Sequence, residues 1–261
     1  MKSLSIAATG MLAQQLNVEV ISNNLANMNT VGFKRQRAEF QDLLYQNIER
    51  MGATSSSAGT VVPTGIQIGA GVKAGSVYRI TQQGNLTLTD NKFDIAINGR
   101  GFFRVQLPSG DEGYTRGGNF AVNGTGELVT TEGYPVQPAI TVPQEATDVL
   151  INEEGQVEVI IPGQAQPQQI GQLDLAIFFN EAGLEAVGDN IFLETAASGA
   201  ASIGQPGSVG YGRLMQGFVE TSNVDSIREI TALISAQRAY EMNAKVITTS
   251  DEMLNTGANL R

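Results

Sequence analysis

The sequence predicts a mixed fold in which N- and C-terminal α-helices pair as a coiled-coil-like layer and enclose an all-β central domain. Three observations carry this expectation. Apolar residues recur at heptad spacing at both ends, the long stretch between reads as short apolar strands punctuated by glycine, and a turn motif repeats inside that stretch.

At the N-terminus, Leu4, Met11, Val18 and Leu25 fall seven residues apart, and Ala7, Gln14, Ile21 and Met28 form a second row three residues on. This is the pattern of a coiled-coil seam, with Gln14 its one polar member. Leu12 and Leu16 add apolar surface beside the seam, which suits a helix packed among several others. Ordering the backbone of one such helix against a single partner returns little net free energy, so the ends are expected to order when subunits stack. Gly32 follows the stripe, and a glycine there suits a left-handed C-terminal cap, with the helix ending near Asn29.

Residues 37–51 carry Phe40, Leu43, Leu44, Ile48 and Met51 at helix-compatible spacing, yet a Gly-, Ala-, Thr- and Ser-rich segment follows, so helix and extended hairpin both stand. The run Ser55, Ser56 and Ser57 reads as a flexible loop or linker. From Gly65 the texture becomes strand-like, through Ile66, Ile68, Val72, Val77, Ile80, Leu86, Leu88, Ile95 and Ile97. Asn-x-x-Gly recurs at Asn123–Gly126, Asn152–Gly155 and Asn180–Gly183, each a predicted hairpin turn, because asparagine starts a turn through its side chain and glycine accepts positive φ. Phe102, Phe103 and Val105, and then Ile177, Phe178 and Phe179, are predicted to fill the core of this domain. The chain from Ala196 to Gly212 is small and glycine-rich and reads as a second linker.

The last helix is marked by Leu233, Tyr240, Ile247 and Leu254 at heptad spacing, flanked by Ile230, Gln237 and Ala244, with no proline from Asp225 to Asn255. Asp225 or Ser226 can cap it, and Ser226 with Glu229 has the spacing of a capping box.

Composition narrows the function. Among 261 residues the formal charge is −10, and the basic cluster Lys34, Arg35 and Arg37 is too small for sequence-independent nucleic-acid binding. With neither cysteine nor histidine, thiolate metal sites, disulfides and histidine-based triads are excluded. No apolar run approaches the ~20 residues that span a bilayer, and the N-terminus makes a poor signal peptide, so direct membrane insertion is not expected. Asp111 with Glu112, and Glu153 with Glu154, are sequence neighbours that point to opposite faces of a strand and make no acid/base dyad. Gly69, Gly71 and Gly75 lack the Lys-Ser/Thr ending of a phosphate loop. No catalytic, cofactor-binding or metal site is predicted, and no cofactor is expected.

The termini carry a recognisable pattern. The stretch Ser22-Asn23-Asn24-Leu25-Ala26-Asn27-Met28-Asn29-Thr30-Val31-Gly32-Phe33-Lys34-Arg35 resembles the N-terminal signature of the bacterial flagellar rod and hook family of axial proteins. Ser222-Asn223-Val224-Asp225 and Leu233-Ile234-Ser235-Ala236-Gln237-Arg238-Ala239-Tyr240-Glu241-Met242-Asn243 resemble its C-terminal signature. Tyr45, Ser55, Ser56, Ser57, Pro63 and Gly65, continuing to Gln67, Gly69, Gly71 and Val72, resemble the insertion that separates the distal rod branch from hook and proximal rod members. Gln83-Gly84-Asn85, Asp94, Gly101-Phe102-Phe103 and Tyr114-Thr115-Arg116 fit the family's β domain.

The resemblance implies a structural protein rather than an enzyme: a self-assembling helical homopolymer, exported by the flagellar type III system, forming in the periplasmic space a drive shaft and channel between motor and hook. Its partners would be further copies of itself, proximal rod proteins, hook protein, and the outer L and P ring proteins as a bushing. Residues 1–34 and 222–261 would form the inner tube. Residues 35–76 and 208–221 would form an extended linker, with a rod-stiffening insertion at about 45–66, and residues 77–207 the outer β domain. Assembly would rest on Leu4, Met11, Val18, Ile21, Leu25, Met28, Ile230, Leu233, Tyr240, Ile247 and Leu254. The family signature maps onto Asn23, Asn24, Asn27, Thr30, Gly32, Phe33, Gln237, Arg238, Tyr240 and Glu241. A sibling hook or proximal rod protein, a secreted β-rich adhesin trimerised by its helical ends, and a carboxylate hydrolase on a β scaffold are the alternatives.

Overall fold

In a computed structural model of the chain, residues 2–49, 51, 64–163 and 166–259 are described. Helix α1 (Lys2–Ala26) is followed by strands β1 (Gln36–Asp42), β2 (Tyr45–Glu49), β3 (Ile66–Gly69) and β4 (Val72–Arg79). Next come β5 (Leu86–Leu88), β6 (Ile95–Asn98), β7 (Phe102–Gln106), β8 (Glu112–Thr115), β9 (Phe120–Val122), β10 (Leu128–Thr130), β11 (Val136–Gln137), β12 (Asp148–Ile151), β13 (Gln156–Ile160) and β14 (Gln168–Gln172). The chain continues with β15 (Leu175–Ile177), β16 (Glu185–Gly188), β17 (Ile191–Leu193), β18 (Ser202–Gly204), β19 (Arg213–Gln216) and β20 (Phe218–Glu220), and ends in α2 (Ser226–Asn259). A helix at each end and a β-rich centre are thus present, as the sequence predicts.

The chain divides into two compact units: residues 1–25, 36–78 and 225–261 form the first, and residues 26–35 and 79–224 the second. In the first unit β1 pairs with β4 and β2 pairs with β3. Over the described residues 37–49 the open choice between helix and hairpin falls to extended chain: helix-compatible spacing loses to pairing with the later strands β3 and β4. The β2–β3 ribbon lays the Tyr45 ring beside Gly69, where an added Cβ would meet it at an ordinary 3.4 Å. Its other apolar residues, Ile48, Ile66 and Ile68, are exposed.

The second unit is built on a seven-stranded sheet in the order β16-β17-β8-β7-β15-β18, with β11 also pairing β7. Strand alternation puts the neighbours Phe102 and Phe103 on opposite faces, and each seeds its own core. Phe103 meets Phe120 edge-to-face at 5.0 Å between centroids, among Ile95, Ile97, Val105 and Leu214. Phe102 packs against Phe178 and Phe192, and Tyr114 stacks edge-on to Phe178 at 4.8 Å. Burial pushes the Tyr114 hydroxyl pKa up to about 12, with the nearby carboxylates of Glu112 and Glu194 adding to the shift.

Several local expectations change. Helix α1 stops at Ala26, and Gly32 takes its positive φ of 70° in the loop beyond rather than at the helix cap. Asn123–Gly126 and Asn152–Gly155 make the expected hairpins β9–β10 and β12–β13, with each asparagine Oδ1 accepting two backbone N–H groups of its turn. The third copy, Asn180–Gly183, instead forms a 3₁₀ turn between β15 and β16, two strands that do not pair with each other. The stretch from Ala196 to Gly212 contributes β18 to the main sheet. Phe178 is buried, but Phe179 is 98% exposed, because consecutive residues at the end of β15 point to opposite sides.

Phe103→Ala is expected to destabilise the second unit by about 3–5 kcal/mol, whereas Phe179→Ala should stay within about 0.5 kcal/mol of the parent. Denaturant unfolding followed by tyrosine fluorescence checks both.

Candidate functional site

In the first unit the helices pack antiparallel. Asn24 Nδ2 donates to the Glu229 carboxylate at 3.0 Å, and a Cβ on Gly10 would lie 3.0 Å from the Asn243 side chain. The two contacts stand fourteen residues apart on each helix, so both helices advance in step. On α2 the residues turned inward step by four and three: Glu229, Leu233, Ala236, Asn243, Ile247, Ser250 and Leu254, with Tyr240 exposed in the same row. The row containing Leu233 is the predicted one. The companion row is Glu229, Ala236, Asn243 and Ser250, displaced by one residue from the predicted Ile230, Gln237 and Ala244. On α1 the most buried residues are Ala7, Ala13, Val20, Ile21 and Asn24. The contact surface therefore mixes small and polar residues with a few apolar ones.

Of the predicted packing residues, Ile21 is buried, and Leu4, Met11, Val18, Leu25, Leu233, Ile247 and Leu254 are half-buried. Met28, Ile230 and Tyr240 are exposed, as are Leu12, Ile227, Ile234, Met242, Val246 and Met253. Of the signature residues, Asn24 and Gly32 are buried, Asn27 and Phe33 half-buried, and Asn23, Thr30, Gln237, Arg238, Tyr240 and Glu241 exposed. Gln237, Tyr240 and Glu241 line an open groove of about 510 Å³ with Gln15, Val18 and Glu19. In the predicted insertion Tyr45 is exposed and Gly65 half-buried, while Ser55, Ser56, Ser57 and Pro63 lie outside the described residues. The α2 cap is Asp225, whose Oδ1 accepts the N–H groups of Ile227 and Arg228. Glu229 is turned inward to Asn24.

The second unit holds a buried ion cluster. Glu220, at the end of β20 and 1% exposed, accepts Lys34 Nζ at 2.5 Å and the Gly84 N–H at 2.8 Å on Oε1, and Arg116 Nε at 2.6 Å on Oε2. Its backbone oxygen accepts the Gly32 N–H at 2.7 Å. Arg116 spends three further donors on the carbonyls of Ile97, Gly99 and Gly101. Lys34 also donates to the Gln82 carbonyl. Two of these approaches need glycine: a Cβ on Gly84 would sit 1.9 Å from the Thr221 carbonyl oxygen, and one on Gly32 2.8 Å from the Arg116 backbone.

Burial alone would raise the Glu220 carboxyl pKa, but the adjacent Arg116 and Lys34 charges, with hydrogen bonds from Lys34 and Gly84, more than offset it and hold the pKa below its ordinary value. The Lys34 ammonium is pushed down by burial, a shift that Glu220 offsets only in part. The two shifts have opposite meanings for stability. The carboxylate governs the acid range, where Lys34 stays protonated in either state. Lys34 and Arg116 stood in the resembling segments, but Glu220 carried no local signal, since its role depends on partners 104 and 186 residues away.

The same terminal and central segments match described families. Residues 4–34 match the flagella basal body rod protein family, residues 96–159 the flagellar hook protein FlgE/F/G D1 domain, and residues 215–260 the flagellar basal body rod FlgEFG protein C-terminal family. The flagellar basal-body rod protein FlgG of Caulobacter vibrioides is 64% identical over 261 residues, covering 100% of both chains. This chain belongs to the flagellar basal-body rod protein FlgG family. The FlgG of Agrobacterium fabrum is 52% identical over 97% of each chain. The flagellar basal-body rod protein FlgF of Caulobacter vibrioides is 31% identical, over 96% of this chain and 94% of its own. The margin of FlgG over FlgF places this chain on the FlgG side of the family.

Glu220→Gln leaves two buried cations without their carboxylate and should cost about 3–5 kcal/mol, while Lys34→Met, which keeps one cation on one anion, should cost clearly less. Because the folded pKa of Glu220 is depressed, its contribution is present above the unfolded carboxyl range and lost as pH falls through the folded pKa. Thermal midpoints measured from pH 7 down to pH 3 should therefore fall less steeply in Glu220→Gln than in the parent.

Proposed function

We propose that this chain is a structural subunit of the flagellar distal rod, self-assembling into a rigid helical tube that serves as drive shaft and export channel between motor and hook. The observation that carries this reading is the distribution of side chains on the helix pair. Small and polar residues share the inward face with Val20, Ile21, Leu233, Ile247 and Leu254, while Ile227, Ile230, Ile234, Met242, Val246 and Met253 along α2 and Leu12 on α1 face outward. A helix 34 residues long that leaves six large apolar residues outside its own pairing contact has that hydrophobic surface free for other molecules. Identical copies stacked around an axis bury it repeatedly, because a contact between unlike faces propagates without closing.

In this reading the paired helices form a coiled-coil-like inner layer, residues 1–34 and 222–261 line the tube, and residues 77–207 are carried outside. The exposed β2–β3 ribbon belongs to the linker of residues 35–76, with the stiffening insertion at about 45–66. A two-stranded ribbon is marginal by itself in water, and its exposed Ile48, Ile66 and Ile68 gain stability from a neighbouring subunit. Proximal rod and hook proteins adjoin the ends of the tube, and the L and P rings surround it as a bushing. Export by the flagellar type III system to the periplasmic space suits a chain in which no described helix is long and apolar enough to cross a membrane. Catalysis has no part in this role.

Introducing the chain into a strain that lacks its rod protein should restore rods visible by electron microscopy. Ile230→Asp combined with Ile234→Asp should abolish the polymer while leaving the far-ultraviolet circular dichroism of the monomer intact; normal rods from this variant would refute the apolar-face assignment. Deleting residues 45–66 should yield rods that are no longer straight and stiff, and an unchanged straight rod would reject the role given to the insertion.

A further inference from the structure

Two asparagines hold one of the dipeptides at which the chain passes from the second unit to the first. In the second unit, Asn223 Oδ1 accepts the Arg35 N–H at 2.7 Å, and its Nδ2 donates to the carbonyls of Ile80 at 2.9 Å and Gln82 at 2.8 Å. The Arg35 carbonyl accepts the Ile80 N–H at 2.8 Å. In the first unit, Asn24 Oδ1 accepts the Gln36 N–H at 2.8 Å, and its Nδ2 donates to the Gln36 carbonyl at 2.8 Å and to Glu229. The division between units falls between Arg35 and Gln36. All four backbone hydrogen-bonding groups of this dipeptide are therefore engaged, one residue held within each unit.

We propose that Asn24 and Asn223 are positioning residues that clamp the Arg35–Gln36 crossing, so that load carried along the chain enters and leaves each unit through immobilised backbone. The chemistry selects asparagine. Each side chain accepts from one N–H and donates to two oxygens at once, which a primary amide does; a carboxylate has no donor, an ammonium no acceptor, and a hydroxyl only one hydrogen to give. The short side chain also fixes its amide close to its own backbone, where glutamine would add a rotatable bond. Each clamp gathers further chain: Asn24 joins α1 and α2 to the start of β1, and Asn223 joins the segment before α2 to the segment after β4. This is a role for two residues of the terminal signatures beyond the pairing of the helices, and the mechanical part of it rests on the rod reading.

Hydrogen exchange of the full chain, resolved to single amides, tests the clamps without reference to rods. Asn223→Ala should speed exchange at Arg35 at least tenfold and leave Gln36 protected, and Asn24→Ala should do the reverse, with amides of β7 and β8 unchanged in both. Asn223→Asp, which keeps the acceptor but loses the donors to the Ile80 and Gln82 carbonyls, should leave the Arg35 amide more protected than Asn223→Ala does. Uniform acceleration across a unit, or unchanged exchange at Arg35 and Gln36, would overturn the proposal. Cells carrying either alanine variant should build rods yet lose at least twofold more swimming speed in viscous medium than in dilute medium, relative to the parent. Equal loss in both media, or none, would remove the load-bearing role. If the parent chain itself fails to restore rods, the rod reading fails while the exchange pattern still stands or falls independently.

Discussion

The second unit is organised around one buried carboxylate. Glu220 is the last residue of β20, so it is fixed by the β5–β20 ladder before any ion pair is counted. Through its side chain and its carbonyl it then gathers Gly32 and Lys34 from the segment after α1, Gly84 from the segment before β5, and Arg116 from beyond β8. Removing a carboxylate and two cations from water is costly, and the cost is recovered only when the donors are satisfied together. Arg116 meets that condition by donating to three carbonyls of the 97–101 loop as well as to Glu220. An apolar cluster at this place would tolerate sliding, whereas directional charged hydrogen bonds permit one arrangement. The chain leaving α1 and the chain returning toward α2 are thereby tied to the same point of the β domain.

The first unit follows a different rule. Its two long helices meet through small and polar groups as well as a few apolar ones, among the former Asn24 to Glu229 and Gly10 beside Asn243. Contacts of this kind supply little net stabilisation but specify register, because a slip would bury an unpaired amide or carboxylate. Ile227, Ile230, Ile234, Met242, Val246 and Met253 remain outside. Such a division suits a subunit in a polymer: register is set within the chain, where concentration is irrelevant, and the hydrophobic driving force is held back for contacts between copies, where it must outweigh the loss of free motion on association.

Much of this was legible in the sequence, for physical reasons that differ from element to element. Heptad rows such as Leu233, Tyr240, Ile247 and Leu254 show because side-chain period follows helix period, and alternation around Phe102 and Phe103 shows because strands have period two. The Asn123 and Asn152 turns were readable because one side chain and one glycine make the turn locally. The companion row on α2 was misplaced by one residue because Glu229, Asn243 and Ser250 are not apolar, and a hydrophobic pattern is blind to a seam built from small and polar groups. Phe179 was misread because an apolar run at a strand end does not reveal where alternation carries the last residue outward. Glu220 was invisible because nothing within its own segment distinguishes a carboxylate that will meet two cations from one that will face water.

The polar contacts also explain how a chain with so much exposed apolar surface can reach its place in an assembly. If the helix pair were held by leucine and isoleucine alone, its seam and its outer face would be chemically alike, and the outer face of one copy could exchange for the seam of another. The buried amide and carboxylate of Asn24 and Glu229 make the two faces unlike, since neither group finds its partner on an outer row composed of Ile227, Ile230 and Ile234. Specificity inside the subunit and adhesion between subunits are thus assigned to different chemistry on the same helix. A tube grown by adding identical copies requires that separation, because every surface that binds the next subunit is present, unoccupied, on each subunit before it arrives.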